Sequence, residues 1–243
     1  SISGFGQDGP NAQRPAYDIV VQAMSGIMTT TGEPDGPPML LGEAVGDVVA
    51  GLFGSWAILA ALYERERTGR GRRLDVAMLD AMMALQPLNV ARYLALGHSP
   101  RRVGNRHPIS APFGAFAARD GLFVLAVLNK RLFASLAAVV GRPDLPADPR
   151  FATDALRFEH EAELRAAIEA WSRGLSAAEA VAALMAAGVP AAEVQDTAAA
   201  LASARAVLQA VDEPELGPVM APEQPVRFVG ATRGGLRPAP RLG

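Results

Sequence analysis

Residues 48–63 are almost wholly apolar and contain no proline. A run of that kind predicts a buried helix of about five turns, roughly 25–30 Å long. Gly46-Asp47 stands where an N-cap belongs, and Glu64, Arg65, Glu66 and Arg67 form a wet C-terminal end that Gly69 stops. The two arginines suit the negative pole of the helix dipole. Gly51 and Gly54 cost helix propensity, and the expected return is close approach of another backbone. Upstream, Ile19, Val20, Ala23, Met24 and Ile27 recur at helical spacing over 17–28. Pro34, Gly36, Pro37 and Pro38 make 29–42 a loop that delivers the chain to Asp47. Residues 1–6 read as a strand end running into a loop, 74–77 as a short strand, and 79–96 as a helix.

The pattern changes after residue 96. Residues 97–103 read as a linker, and 113–118 and 122–128 as strands joined through Arg119-Asp120-Gly121. Asn129 caps a helix that ends before Gly141. Helices follow over 160–173 and 177–187, the second opened by the capping box Ser176-Ala177-Ala178-Glu179 and stopped by Gly188. Residues 191–194 read as a strand and Thr197 as the cap of another helix. From Ala204 a linker leads to extended segments at 217–220 and 226–229. The division expected is 1–96, a linker over 97–103, a small α+β domain over 104–203, and a returning segment over 204–243.

Composition narrows the classes. Half of the 243 residues are apolar, enough for a sizeable core. A net charge of −2, from 23 basic and 25 acidic residues, gives no pull toward nucleic acid or an anionic membrane. The apolar run of 48–63 is slightly short for a membrane span, and no signal peptide is evident. With no cysteine, disulfides and thiolate chemistry are excluded. His98, His107 and His160 lie too far apart for a short metal-ligand motif, so no metal is expected, and His98 and His160 read as surface residues. Gly4-Phe5-Gly6-Gln7-Asp8-Gly9 matches G-x-G-x-x-G, but Pro10 and Pro15 follow where a helix would be needed, so it reads as a glycine-rich turn. Arg14 and the cluster Arg70-Gly71-Arg72-Arg73 read as solvated, with phosphate contact as the alternative.

The chemistry centres on Asp47. A carboxylate at a helix N-terminus faces unpaired N–H groups and the positive end of the dipole, so it stays ionised and is available as a base or nucleophile. The bland alternative is that Asp47 only caps its helix. Glu43 is the other acid close by in sequence and reads as a surface residue.

The flanking sequence adds a resemblance. Tyr17-Asp18, Gln22-Ala23-Met24-Ser25-Gly26, Thr31-Gly32, Pro37-Pro38, Gly46-Asp47, Arg65-Glu66-Arg67-Thr68-Gly69-Arg70-Gly71 and Asp75-Val76-Ala77-Met78 occur in that order. So do Gly104-Asn105-Arg106-His107-Pro108, Ala111-Pro112-Phe113-Gly114, Gly188-Val189-Pro190 and the terminal Arg237-Pro238-Ala239-Pro240-Arg241-Leu242-Gly243. The series resembles the family III CoA-transferases, a group with formyl-CoA transferase, the carnitine-pathway CoA-transferases and α-methylacyl-CoA racemase. The resemblance implies an α/β fold, with 1–96 part of a Rossmann-like large domain and 204–243 returning to it. It implies acyl-CoA and a carboxylic acid as substrates, no bound cofactor, a cytoplasmic location and an interlocked homodimer. It also implies that Asp47 is the nucleophile, passing through an acyl-aspartyl anhydride and an aspartyl-CoA thioester. Tyr17 would line the active site, and Gly104, Asn105, Arg106 and His107 stand where the family places a loop over the catalytic acid. Racemases of the family carry histidine where this chain has Tyr17, so racemisation is the weaker alternative, beside a non-catalytic CoA-binding piece. The resemblance also implies that family members carry a further region ahead of Ser1 and that this chain is a fragment.

Overall fold

The computed structural model describes residues 1–203, 208–223, 225–226, 228–230, 234–238 and 240. Strand β1 (Ile2–Ser3) is followed by α1 (Asp18–Ser25), α2 (Ile27–Thr30), α3 (Val45–Thr68), β2 (Val76–Ala77), α4 (Met78–Ala84) and α5 (Pro87–Leu96). Next come β3 (Phe113–Ala117), β4 (Leu122–Ala126), α6 (Lys130–Val139), α7 (Asp154–Glu159), α8 (Glu161–Ser172), α9 (Ala177–Ala186), β5 (Ala191–Glu193) and α10 (Thr197–Ser203). A hairpin of β6 (Leu208–Glu213) and β7 (Gly217–Pro222) ends the series.

Two apolar cores form, each around its own strands. In the first, β1 pairs in parallel with β2, and α1, α3 and α4 pack together through Val21, Val49, Ala50, Met78, Ala81 and Met82. In the second, β3, β4 and β5 make an antiparallel sheet in that order. Helices α6, α8 and α9 cover it, closing over Phe116, Phe123, Leu125, Phe133, Leu136, Leu164, Ile168 and Leu184. Local chemistry sets the borders. Asn129 accepts from the Leu132 N–H to open α6, and both halves of the Ser176–Glu179 capping box are present at α9. Gly69 ends α3 in the left-handed conformation at φ 68°, its N–H donating to Arg65 O at 2.8 Å. Arg157, 2 % exposed, ties the second core to the segment before β3: its guanidinium donates to Ala111 O and Phe151 O and lies 4.7 Å from the Phe133 ring.

Several expectations are corrected. Helix α3 has 24 residues and opens at Val45, ahead of the cap expected at Gly46-Asp47, and by length and composition alone it is long and apolar enough to cross a membrane. Nor is it buried all round. Gly46, Val49, Ala50 and Gly54 turn inward, while Val48, Leu52, Trp56, Leu59 and Tyr63 are exposed. An all-apolar helix gives no sequence clue to which stripe packs, because both satisfy the same periodicity. Gly54 does admit a close neighbour, since a Cβ there would lie 3.0 Å from Ile2 Cδ1, but Gly51 faces open space. In α1 the residues buried are Val21, Gln22 and Ser25, whereas Ile19 and Met24 are exposed.

The helix expected over 79–96 is two, because Pro87 cannot donate to the ladder and restarts it as α5 at N1. Asp196, not Thr197, supplies the side-chain oxygen at the start of α10, accepting from Ala199 N–H at 2.8 Å. Strand β6, with no period-2 signal strong enough to read, pairs with β7. The linker expected from Ala204 begins at 204–207, outside the described residues, as do Arg227 of the 226–229 segment and Ala239 and 241–243 of the terminal motif. The described residues of 226–229 are not strand.

Candidate active site

Two helix starts meet at Asp47. The N-cap of α3 is Ala44, and Asp47 is the third helical residue rather than the cap. Asp18, in the first turn of α1, takes the capping role from outside: its Oδ1 accepts the Gly46 N–H at 2.7 Å. The Val45 N–H donates to Glu43 O at 2.8 Å, and Val48 is the first residue to bond back to Ala44, at 3.0 Å. Among the described residues, the Asp47 N–H is thus the donor of this turn left without an acceptor, and no side chain pairs with the exposed Asp47 carboxylate. The bare-cap reading does not account for that arrangement, because a capping carboxylate spends its oxygen on helix N–H groups.

The close approach needs glycine. A Cβ at Gly46 would stand 2.8 Å from Val21 Cγ2 and 3.0 Å from Asp18 Oδ1. Val21 is fully buried and has little room to give. Gly46→Ala is therefore expected to lower stability by about 1–3 kcal/mol, read by urea unfolding. A change below about 0.5 kcal/mol would show that the two helix starts are not in contact.

Tyr17 is the N-cap of α1 and is 81 % exposed, so it is neither a core aromatic nor buried in a contact. The Asp18–Gly46 hydrogen bond brings Tyr17 and Asp47 to one corner, each a single residue from one end of that bond.

Residues 104–108 sit elsewhere, on the small sheet. The Ala115 N–H donates to Asn105 O and the His107 N–H to Phe113 O, both at 2.8 Å, so the segment runs along β3 as an added strand edge. The His107 ring stacks on Phe113 at 4.6 Å. The Arg106 guanidinium donates to Glu161 at 2.9 Å. With one glycine and this many tethers the segment is a fixed edge. Its hydrogen bonds run to Gly32, to β3, to Val103, to Ile109 and to Glu161, none to Asp47. On its apolar side, Asn105, His107, Phe113, Val124, Ala126 and Pro190 line an open cleft of about 620 Å³. On its polar side, Glu33, Arg106, Glu161, Arg165, Glu169 and Arg173 line a second of about 450 Å³. There, burial pushes the Glu169 carboxyl up. Hydrogen bonds from Arg173, the Ala117 N–H and Arg165 outweigh it and hold the pKa below the ordinary glutamate value.

The loop between α2 and α3 links the two regions. The Gly104 N–H donates to Gly32 O at 3.1 Å, and Arg102 donates to the carbonyls of Glu33 and Gly36. The other end of the loop is held by Gln22, whose Oε1 accepts the Leu41 N–H, and the sequence assigns no role to Gln22 or to its partner Asp18. The signal in the sequence was a polar pair spaced i, i+4 on a short helix with apolar residues around it. Glu43 contributes its backbone carbonyl rather than its acid. Arg14 lies over Phe5 at 5.4 Å, and Arg72 pairs with Glu64. His98 is exposed, and His160 faces Glu163 and the edge of Phe151. No group of three His, Asp or Glu able to hold a metal occurs among the described residues.

A family model described as CoA-transferase family III matches residues 1–243. The chain belongs to CoA-transferase family III. Within the family it is 42 % identical over 248 residues to the acetyl-CoA:oxalate CoA-transferase of Acetobacter aceti, covering 100 % of this chain and 62 % of that relative. It is 35 % identical to the succinyl-CoA–D-citramalate CoA-transferase of Chloroflexus aurantiacus, over 97 % of this chain and 60 % of the relative. The crystal structure of a CaiB/BaiF family protein from Brucella suis superposes with a TM-score of 0.80 at 38 % identity, over 95 % of this chain and 61 % of that one. The α/β fold of family III is thereby shown for this chain, which spans about 60 % of the length of these relatives.

Proposed function

We propose that this family III chain transfers CoA from an acyl-CoA to a carboxylic acid, with Asp47 as the nucleophile. The observation that carries the reading is the unpaired, solvent-facing carboxylate in the first turn of α3, held in place by Asp18 through the Gly46 N–H. One Asp47 oxygen attacks the thioester carbonyl, the C–S bond breaks, and an acyl-aspartyl anhydride and CoA thiolate result. The thiolate attacks the Asp47 carbonyl and releases the donor acid, leaving an aspartyl-CoA thioester. The acceptor carboxylate then attacks that carbonyl, the thiolate departs, and its attack on the acceptor acyl carbon returns free Asp47. Each stage is an acyl transfer between a carboxylate and the CoA thiolate, so one difficult exchange is split into easier steps, which is what covalent catalysis offers over direct exchange. The Asp47 N–H is a donor for charge developing at this carbonyl. The relatives' names pair CoA with oxalate and D-citramalate, which supports short dicarboxylates as acids.

Tyr17 lies at the corner where substrate meets Asp47, and Gly104, Asn105 and His107 bound a separate CoA- or acyl-contacting surface. Arg106, already paired with Glu161, holds that surface. The exposed apolar stripe of α3, with Tyr93 and Leu94 of α5 also open, supports assembly as a homodimer. The division at 97–103 rests on the separate cores. Racemisation would need a second proton-transfer group paired with Asp47, and Tyr17 stands where the racemases of the family carry histidine.

One mass-spectrometric experiment tests this. Under denaturing spray, protein mixed with an acyl-CoA is expected to gain a CoA-sized adduct that hydroxylamine removes. Under native spray it is expected to run as a dimer. Absence of the adduct with every acyl-CoA of a panel would sink the transferase reading, and a monomer at micromolar concentration the assembly.

A further inference from the structure

We infer that Gln22 is the positioning residue that aims Asp47, an inference that rests on Asp47 being the nucleophile. Gln22 is 1 % exposed in the middle of α1, and its amide reaches three places at once. Its Oε1 accepts the Leu41 N–H at 3.0 Å. Its Nε2 donates to Glu43 O at 3.2 Å and to Asp18 Oδ2 at 2.7 Å. The orientation follows from the partners: turned over, the amide would set oxygen against a carbonyl and a carboxylate, and N–H against N–H.

The bonds form a relay. Gln22 holds the chain as it enters α3, at Leu41 and Glu43. It also holds Asp18, whose other oxygen holds Gly46, the residue before Asp47. The stretch between Pro37 and α3 has no regular structure. Apart from the Gln22 bonds and the one from Val45 to Glu43, the hydrogen bond that ties 38–43 to the described residues is Met39 N–H to Met28 O. Gly46 has no side chain of its own to anchor it. Core packing at Val49 and Ala50 fixes the body of α3, and the buried neutral amide of Gln22 sets the entry of the chain into its first turn, and so the aim of the Asp47 carboxylate. Burial strengthens each of its bonds and makes any unmatched partner costly. A misplacement of about 1 Å at a reacting group can slow a reaction about 10²-fold.

The test uses Gln22→Met, close in length but without hydrogen-bonding atoms, and Gln22→Glu, which keeps the acceptor for Leu41 and turns a carboxylate on Glu43 O and Asp18. Gln22→Met keeps the length and adds no charge, so it is the folded variant in hand if the buried carboxylate of Gln22→Glu does not fold. Amide hydrogen exchange at Gly46 and Leu41 is measured against the α8 amides, with single-turnover adduct formation and acyl-CoA affinity alongside. Expected for both variants is exchange at Gly46 at least about 10-fold faster while α8 is unchanged. Adduct formation should slow about 10²-fold with acyl-CoA affinity within about two-fold. A packing role alone would lower stability and leave the single-turnover rate of folded protein unmoved, and that result would overturn the inference. So would unchanged Gly46 exchange. An adduct that persists in Asp47→Asn would instead overturn the nucleophile reading, and with it the catalytic part of the inference.

Discussion

Asp47→Asn is expected to reduce CoA transfer by about 10³-fold or more while leaving the fold intact. The carboxamide occupies the same volume but has no anionic oxygen to attack a thioester, and the loss of a covalent nucleophile falls on kcat rather than on binding. The substitution is structurally mild because the carboxylate is exposed and has no hydrogen-bonding partner among the described residues. What it forfeits in stability is its interaction with the N-terminal end of α3, about 0.3–1 kcal/mol. The measurement is kcat with an acyl-CoA donor and a dicarboxylate acceptor, with urea unfolding as the control for folding. Activity within about 10-fold of the parent would move the chemistry away from Asp47.

The second large effect is on stability, and it lies in the other core. Arg157→Met is expected to cost at least about 3 kcal/mol in urea unfolding. Methionine keeps the apolar stem of the side chain and removes the guanidinium. Ala111 O and Phe151 O are then left without their donor, and the face of Phe133 without its cation. Asp154, about one-third exposed, can turn to water, so it adds little to the loss. Because Ala111 closes the segment carrying 104–108, that edge of the cleft should loosen with it. A cost below about 1 kcal/mol would show that the buried cation is not holding the segment.

Asn129, Gly69 and the Ser176–Glu179 pair act within a few residues of themselves, so their chemistry is local and their placement was legible. The β3–β4 hairpin was legible for the same reason, its turn lying between two apolar runs. Pro87 stood in plain view, but the apolar period carried through it, and the break at Gln86 went unread.

Position 47 shows the limit most clearly. Sequence singled out Asp47 by its place before an apolar run and by resemblance, yet it assigned the cap to that residue. The cap oxygen comes from Asp18, separated from Gly46 by 28 positions, and no local pattern encodes that pairing. Gln22 was overlooked because a buried polar residue on a short helix looks like a solvent-facing one until its partners are known.

The sequence by itself determined the family, most of the helices and strands in their order, the local caps at Asn129, Ser176 and Gly69, and the acid on which the chemistry is proposed to turn. These follow from short-range backbone chemistry and from residue order, which folding does not rearrange. Only the tertiary structure decided which stripe of α3 packs, which side chain caps it, and that 104–108 is hydrogen-bonded along β3. Those outcomes depend on contacts between distant segments, where several arrangements satisfy the same periodicity and packing selects one.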